Sequence, residues 1–373
     1  MNAMNELNLS ARILLGPGPS NIHPRVYRAL STPVVGHLDP DFLKIMDEIQ
    51  EMLRMVFQTK NRFTIAVSGT GSAGMEASIV NVVEPGDQVL VGLNGVFGNR
   101  LADVVSRCGG EVIPLTADWG QPIEPYRVED ALKKHDGVKA VVLVHAETST
   151  GVLQPLEEIG GMCRNHSALF IVDTVTSLGG VPVKVDEWGI DVCYSGTQKC
   201  LSCPPGLSPM TFSDKAMHVI KSRKNKVQSW YLDMNLIESY WSEGNRVYHH
   251  TAPVSMNYAL REALRIILEE GLDQRFQRHL ENSHYLIDHL RESGLMPAVD
   301  AAYRLPPLNA IRVPENVDEM AIRKKLLLQY GIEIGSGLGE LKGKIWRIGL
   351  MGESSNKANI VYLLHALREI LKH

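Results

Sequence analysis

Short, continuously apolar runs alternate with segments of helical periodicity over the first two thirds of the chain. The runs are rich in β-branched and aromatic residues and lie at residues 63–67, 88–92, 140–145, 168–173 and 191–195. Strands that are covered on both faces show such runs, whereas half-exposed strands alternate apolar and polar residues. Helical segments between the runs are typical of βαβ crossovers. We therefore predict an α/β fold with a large, mostly parallel sheet between two layers of helices.

Residues 39–59 show the helical period most clearly. Apolar residues recur there at steps of three and four, from Phe42 through Ile49 to Phe57, which marks one buried face. Asp39 or Asp41 is placed to cap this helix. The same period returns at residues 256–268, 276–290 and 360–370.

A change of pattern near Gly271 indicates a domain boundary. Beyond it, a charged helix, a strand at 309–313, a further helix and a strand at 346–350 indicate a smaller α+β unit. We predict an N-terminal arm (1–21), a large domain (22–271) and a small C-terminal domain (272–373).

Composition narrows the function to small-molecule chemistry. The 373 residues carry a net charge of -4 without a long run of Lys or Arg, so nothing favours binding to nucleic acid or to an anionic membrane. No window of ~18 apolar residues indicates a membrane span. The first residues lack the pattern of a secretory leader, and we expect a cytoplasmic protein.

The five cysteines are an odd number in a long chain, which favours reduced thiols over a disulfide framework. Cys200 and Cys203 form a CxxC pair. A zinc or redox role would require a second ligand pair or a thioredoxin-like context, and the sequence shows neither. We predict that both are buried packing residues.

A glycine-rich loop follows the first strand. Its sequence SGTGSAG places Gly69, Gly71 and Gly74 in GxGxxG spacing before a helix, where free backbone N–H groups favour a phosphate. The competing interpretation is an NAD-binding fingerprint and hence a dehydrogenase. That fingerprint requires an acidic residue about 20 positions further on, and the chain has VLVGLNG there. A single phosphate fits better.

Asp173 and Lys199 carry the most specific signal. Asp173 ends an apolar strand, where a buried carboxylate requires a cationic partner or else caps the following turn. Lys199 lies among small and apolar residues, which lower the pKa of an amine and make it nucleophilic. Pyridoxal phosphate requires both groups: an amine to hold its aldehyde as a Schiff base and a carboxylate beside its ring nitrogen.

Three further residues are candidates for the same site as Asp173 and Lys199. Phe97 lies in a loop at the end of a strand, where its ring can stack on a flat cofactor, although such a residue is often core. Val175 can pack on the opposite face of the ring. Arg347 lies in an apolar strand and can bind a substrate carboxylate, the alternative being an internal salt bridge.

The segment RVYHHT raises the question of a metal site. Neighbouring residues on a strand point to opposite faces, and no third ligand stands near His249 and His250, which disfavours zinc. Hydroxyl donation to a phosphate from Tyr248 and Thr251 is the better interpretation.

Together these segments resemble the class V aminotransferases, most closely the alanine:glyoxylate and serine:pyruvate group. The motifs that carry the resemblance, in chain order, are LLGPGPSNIHPRV, SGTGSAGMEA, EPGDQVLVGLNGVFGNR, HAETSTGVLQPL, VDTVTSLGG, YSGTQK, YHHT and RIGL. The resemblance covers nearly the whole chain. It implies fold type I with a seven-stranded sheet, and a homodimer with an active site at the subunit interface.

The resemblance also assigns roles to individual residues. Lys199 becomes the Schiff-base lysine, Asp173 the partner of the pyridine nitrogen, Thr148 a neighbour of the ring hydroxyl and Arg347 the carboxylate-binding residue. The implied phosphate-binding residues are Thr70, Gly71, Ser72 and Gln198, with Tyr248 and Thr251 from the partner subunit.

Three positions depart from the family pattern. Phe97 replaces the usual tryptophan of the animal enzymes, Ser72 replaces a frequent histidine, and Cys200 and Cys203 stand where alanines are common. The first keeps a stacking ring, and the second leaves the contacts on the phosphate side open.

The implied activity is transfer of the amino group of alanine or serine to glyoxylate or pyruvate. Ureidoglycine and 3-hydroxykynurenine are alternative substrates for the same fold. The segment LLGPGPS, with Gly18, and the segment PVVGHLDPDF, with His37, are expected to approach the substrate. His37 is either a pocket residue or a structural cap.

Overall fold

The computed structural model describes residues 8–242 and 246–371. Its strands are β1 (Ile13–Leu14), β2 (Phe63–Ser68), β3 (Gln88–Leu93), β4 (Glu111–Thr116), β5 (Ala140–Val144), β6 (Ala146–Glu147), β7 (Val152–Leu153), β8 (Leu169–Asp173), β9 (Val192–Tyr194), β10 (Leu207–Phe212), β11 (Leu308–Arg312), β12 (Ile332–Glu333), β13 (Gly335–Ser336) and β14 (Ile345–Gly349).

Helices connect these strands and cover the sheets. They are α1 (Pro24–Leu30), α2 (Pro40–Phe57), α3 (Gly71–Val80), α4 (Val96–Arg107), α5 (Pro125–Lys134), α6 (Glu157–Asn165), α7 (Val185–Trp188), α8 (Asp214–Lys221), α9 (Met234–Trp241), α10 (Val254–Glu270), α11 (Leu272–Glu292), α12 (Glu319–Tyr330) and α13 (Lys357–Leu371). Short 3-10 turns lie at Ala301–Tyr303, Gly339–Leu341 and Gly352–Ser354.

A seven-stranded sheet with the order β2-β10-β9-β8-β5-β3-β4 forms the centre of the molecule. The strands from β9 to β4 pair in parallel, while β10 is antiparallel to both of its neighbours. The predicted mostly parallel α/β fold is therefore confirmed. The carboxyl ends of β3, β5 and β8 meet at one edge, where ligands bind in sheets of this kind.

The five predicted strands are all present, with ends that differ by a residue or two. Two strands of the sheet were not predicted. The edge strand β4 is only partly buried and contains a proline, so it lacks a continuous apolar run. The strand β10, LSPMTF, also contains a proline and follows a Pro-Pro-Gly sequence that indicates a turn.

The predicted helix at residues 39–59 corresponds to α2. Asp39 is its cap, because its side chain accepts a hydrogen bond from the backbone N–H of Asp41. Phe42, Ile49 and Phe57 of the apolar stripe of α2 are fully buried in the main hydrophobic core. The later periodic segments correspond to α10, α11 and α13.

A second apolar cluster lies over the three-stranded sheet β11-β14-β13. It collects residues from α11, α12 and α13 and also contains Leu15 from the start of the chain. The strand β1 pairs in parallel with β12, so Ile13 lies beside Ile332. Within the described residues, no helix combines the length and apolar character that crossing a membrane requires.

Gly74 allows α3 to pack closely on β10. A Cβ at this position would collide with the Ser208 hydroxyl, which donates a hydrogen bond to the Ser195 carbonyl at 2.6 Å. We expect Gly74→Ala to lower the free energy of unfolding by about 1–3 kcal/mol. Adding Ser208→Ala should restore part of this loss, because the hydroxyl that collides is then absent.

Gly161 in α6 provides the matched control, since a Cβ there meets nothing within 4 Å. Gly161→Ala should leave stability unchanged or raise it by up to about 1 kcal/mol. Chemical denaturation of all three variants measures these differences. Equal stabilities for Gly74→Ala and Gly161→Ala would contradict the packing argument.

Candidate active site

A cavity of about 170 Å³ opens at the carboxyl edge of the sheet. It is bounded by the starts of α3 and α4, the end of β8 and the loop after β9. The predicted site residues that line it are Thr70, Gly71, Ser72, Phe97, Thr148, Asp173, Val175, Gln198 and Lys199. The structure therefore brings together residues that lie up to 129 positions apart in the sequence, counting from Thr70 to Lys199 (199 − 70).

One end of the cavity is suited to an anion. Thr70 caps α3 without using its side chain, and the helix N-terminus opens into the cavity at Gly71. A Cβ on Gly71 would lie 3.1 Å from a Val175 methyl group, so this close approach favours glycine. Gln198 also lines the cavity, and its side-chain NH2 group can donate a hydrogen bond to an anion. This end of the cavity thus retains unused polar groups.

Asp173 is held by two neutral donors. Its Oδ2 accepts a hydrogen bond from the Tyr194 hydroxyl at 2.6 Å, and its Oδ1 accepts one from the Val175 N–H at 2.8 Å. The pairing of β8 with β9 places Tyr194 directly beside Asp173. Burial raises the pKa of Asp173 to about 6, and the two hydrogen bonds oppose that rise. A cation placed beside this carboxyl would therefore stabilise its charged form.

Lys199 lies in the loop after β9 and faces the same cavity. Its amine donates a hydrogen bond to the Pro17 carbonyl. Burial lowers the pKa of Lys199 to about 8, and the positive charge of Arg347 adds to this effect. Gly18, with a φ of +104°, lies so close that a Cβ there would collide with the lysine side chain. The sequence prediction placed Gly18 near the substrate, and the structure places it against this amine.

Arg347 enters from β14 beside the cavity. Its Nε donates to the Ser336 carbonyl at 2.6 Å, and its Nη1 donates to the Thr148 carbonyl at 3.1 Å. Among the described residues, no carboxylate forms a salt bridge with it, contrary to the alternative considered from the sequence. Burial lowers the pKa of Arg347 to about 10, so the guanidinium remains charged at neutral pH.

Tyr248, Thr251 and His37 do not line this cavity within one chain. Tyr248 and Thr251 are exposed, and the Tyr248 ring lies 5.1 Å from the ring of His37. The segment from Tyr248 to Thr251 lies close to the glycine-rich loop that follows β2. The His250 Nε2 is 2.7 Å from the Oγ of Ser68, the last residue of β2.

Several residues around the cavity were not predicted. Arg100, one turn after Phe97 in α4, places its guanidinium 5.2 Å from the centre of the Phe97 ring. Its i, i+3 spacing from Phe97 is the signal that could have indicated it. The partnership of Tyr194 with Asp173 had no local signal, since it depends on strand order. Met75, Val144, Ala146 and Thr176 complete the lining.

The other candidate groups lie apart from this chemistry. Cys200 and Cys203 are buried, as predicted, and burial raises the pKa of both thiols, which makes them unreactive. The Nδ1 atoms of His249 and His250 lie 2.7 Å apart. Across residues 8–242 and 246–371, no cluster of His, Cys, Asp and Glu side chains is arranged to hold a metal ion.

Comparisons with known proteins agree with this geometry. Residues 23–341 match the family model described as aminotransferase class-V. The chain is 43% identical to the (S)-ureidoglycine–glyoxylate transaminase of Bacillus subtilis (strain 168), over 100% of this chain and 93% of that protein. It is 44% identical to the alanine–glyoxylate aminotransferase of Callithrix jacchus, over 99% of this chain and 90% of that protein.

A solved structure of an alanine–glyoxylate aminotransferase from Nostoc sp. superposes with a TM-score of 0.97 and 51% identity, covering 99% of this chain and 97% of that chain. The chain belongs to the class V aminotransferase family and is an aminotransferase. The resemblance drawn from the sequence is confirmed. The alternative of an NAD-dependent dehydrogenase is not favoured.

The pKa of Asp173 predicts how the cofactor-free protein responds to pH. A carboxyl with a pKa of about 6 in the folded chain, against 3.8 ordinarily, binds its proton more tightly when folded. Its contribution to stability is therefore lost as pH rises from about 4 to about 6. In Asp173→Asn, the side-chain oxygen can still accept the hydrogen bond from the Val175 N–H. The Tyr194 hydroxyl, a donor to Asp173, can accept a hydrogen bond from the new NH2 group.

We expect Asp173→Asn to raise the free energy of unfolding at pH 7.5 by up to about 3 kcal/mol, and the gain to vanish near pH 4. Urea denaturation of the cofactor-free protein at several pH values measures this. Asp136→Asn, at an exposed carboxyl outside the cavity, provides the comparison. A pH-independent loss of stability in Asp173→Asn would show that burial does not dominate this carboxyl.

Proposed function

We propose that this protein is a pyridoxal phosphate-dependent transaminase that moves the amino group of alanine or serine to glyoxylate or pyruvate in a ping-pong reaction. The observation that carries the proposal is a single cavity that joins a desolvated amine, a buried carboxyl and a helix N-terminus. A phosphate-bearing pyridine aldehyde is complementary to all three groups.

The residues around the cavity fit this cofactor. Thr70, Gly71 and Ser72 at the start of α3 and the NH2 group of the Gln198 side chain can donate hydrogen bonds to the phosphate. Asp173 can face the ring nitrogen, where a cation offsets the desolvation of the carboxyl. The aromatic ring of Phe97 and the methyl groups of Val175 can cover the pyridine ring, and Thr148 can lie near the hydroxyl of that ring.

When bound, pyridoxal phosphate supplies an aldehyde that exchanges amines and a ring that accepts electrons. Lys199 supplies the first amine, and its lowered pKa leaves a useful fraction neutral and nucleophilic near pH 7. The same amine, when it is neutral and free, could take a proton from the substrate Cα as a general base. Asp173 would favour a protonated ring nitrogen in a bound cofactor.

Arg347 fixes the orientation of the substrate. Its two hydrogen bonds to the Ser336 and Thr148 carbonyls hold the guanidinium plane, and no carboxylate among the described residues forms a salt bridge with it. A guanidinium held in this way can bind a substrate carboxylate through two parallel hydrogen bonds. This contact would place the Cα near the Lys199 amine.

The names of the similar proteins support the choice of substrates. Both relatives and the Nostoc structure are named for glyoxylate, whereas their donors are alanine or (S)-ureidoglycine. We propose glyoxylate as the preferred acceptor and alanine or serine as the donor. Ureidoglycine and 3-hydroxykynurenine are the competing substrates that a direct assay must separate.

We also propose a cytoplasmic homodimer in which Tyr248 and Thr251 reach the phosphate of the partner subunit. Both residues are exposed in one chain and do not line its own cavity. The large apolar side chains of Trp230, Tyr231 and Val247 are exposed in the same region, which is typical of a surface that another subunit covers.

Lys199→Ala tests the proposal directly. We expect the purified variant to lose both the visible absorbance band at ~400 nm and transamination, because Lys199 is the one lysine among the described residues that line the cavity. Lys184→Ala, at a surface lysine, should keep both. The wild-type enzyme is assayed with alanine, serine, (S)-ureidoglycine and 3-hydroxykynurenine, each against glyoxylate and pyruvate. Retention of both signals in Lys199→Ala would refute the assignment.

Arg347→Ala should raise KM for every carboxylate substrate, by about 10- to 100-fold for the loss of a charged hydrogen-bond pair. Binding of the cofactor, measured by absorbance, should be nearly unchanged. Arg312→Ala, at an exposed position on the neighbouring strand, provides the control. Unchanged KM values in Arg347→Ala would show that this arginine is only structural.

A further inference from the structure

The helix that carries Phe97 has no cap of its own. Gly95 precedes α4 without a side-chain hydrogen bond, and the first turn contains no acidic residue. Its first N–H groups instead donate hydrogen bonds to Glu147 in β6 and to Ser149 just after that strand. Val96 donates to the Ser149 Oγ at 3.0 Å, and Phe97 donates to the Glu147 Oε2 at 3.1 Å. The cap of α4 thus comes from about 50 residues away in the sequence.

Glu147 is fully buried, and only donors surround its carboxyl group. Oε2 accepts from the Phe97 and Gly98 N–H groups, the second at 3.3 Å. Oε1 accepts from the Ser149 N–H at 3.1 Å and the Ser149 hydroxyl at 2.5 Å. Burial raises the pKa of Glu147, while these hydrogen bonds oppose that rise. These four donors and the positive end of α4 favour the charged form of the carboxyl and so oppose the effect of burial.

The packing around this carboxylate is tight. A Cβ on Gly95 would collide with the Glu147 side chain and would lie 2.6 Å from the Ser149 Oγ. Glu147 does not line the cavity, but its neighbours Ala146 and Thr148 do. The Thr148 carbonyl also accepts the hydrogen bond from Arg347. One buried carboxylate therefore connects the backbone that carries Phe97 with the backbone that orients Arg347.

We infer that Glu147 is a positioning residue for the cofactor ring: its carboxylate fixes the first turn of α4 and so holds the Phe97 ring against the cavity. This inference rests on the proposed function, because it requires the cavity to bind pyridoxal phosphate. Glu147 does not line the cavity and acts on the Phe97 ring through the Phe97 and Gly98 N–H groups.

Glu147→Gln is the informative variant. In one orientation the new NH2 group faces the Phe97 and Gly98 N–H groups, and in the other it faces the Ser149 N–H group. In either orientation a donor faces a donor, so hydrogen bonds on one side of the former carboxylate are lost. We expect the dissociation constant of pyridoxal phosphate from the cofactor-free enzyme to rise at least about tenfold, and hydrogen exchange of the 96–98 amides to accelerate. Glu157→Gln, at an exposed carboxylate on α6, should change neither quantity.

A double-mutant cycle with Phe97→Leu separates positioning from general destabilisation. If Glu147 acts through the aromatic ring, Glu147→Gln should weaken cofactor binding much less in the Phe97→Leu background than in the wild type. A purely structural role predicts the same fold-change in both backgrounds and would overturn the inference. Unchanged affinity in Glu147→Gln would overturn it as well.

Ser149→Ala covers the case in which Glu147→Gln does not fold. It removes the acceptor for the Val96 N–H and one donor to Glu147, and it should raise the same dissociation constant about threefold or more, again less in Phe97→Leu. Wild-type affinity in this variant would overturn the inference. Failure of the wild-type protein itself to bind pyridoxal phosphate would instead refute the proposed function, so the two failures are distinguishable.

Discussion

Desolvation of two ionisable groups in one cavity is the constraint on which the site depends. Burial makes the Lys199 amine easier to deprotonate, with a pKa of about 8, and the Asp173 carboxyl harder to ionise, with a pKa of about 6. Both groups thus change protonation close to neutral pH, which neither does in water. Burial of these two groups lowers the stability of the folded protein, and the same burial keeps both groups reactive near neutral pH.

Neutral dipoles, rather than counter-charges, hold the two groups in place. The Tyr194 hydroxyl and the Val175 N–H bond Asp173, and the Pro17 carbonyl bonds the Lys199 amine. A permanent counter-ion would stabilise each charge and make it less available to a ligand. The sheet makes this arrangement possible, because neighbouring parallel strands bring residues distant in sequence to one edge.

Much of the large sheet and of the cavity could be predicted from local patterns. Asp173 ends a continuous apolar strand, Lys199 lies in a turn of small residues, and the glycines before α3 mark an anion site; each signal lies within about ten residues. The contacts of Glu147 with α4 could not be predicted, since they join segments 50 residues apart through strand order. The strand β10 was missed because its proline weakened the pattern that identifies strands.

The start of the chain has a consequence for how the protein reaches its final form. Leu15 is buried among residues of α11, α13 and β14, and the adjoining Pro17 bonds the Lys199 amine. A ribosome must therefore complete most of the polypeptide before residues 13–18 find the surfaces that bury them. Until those carboxyl-terminal elements have been synthesised, Leu15 lacks the residues that bury it.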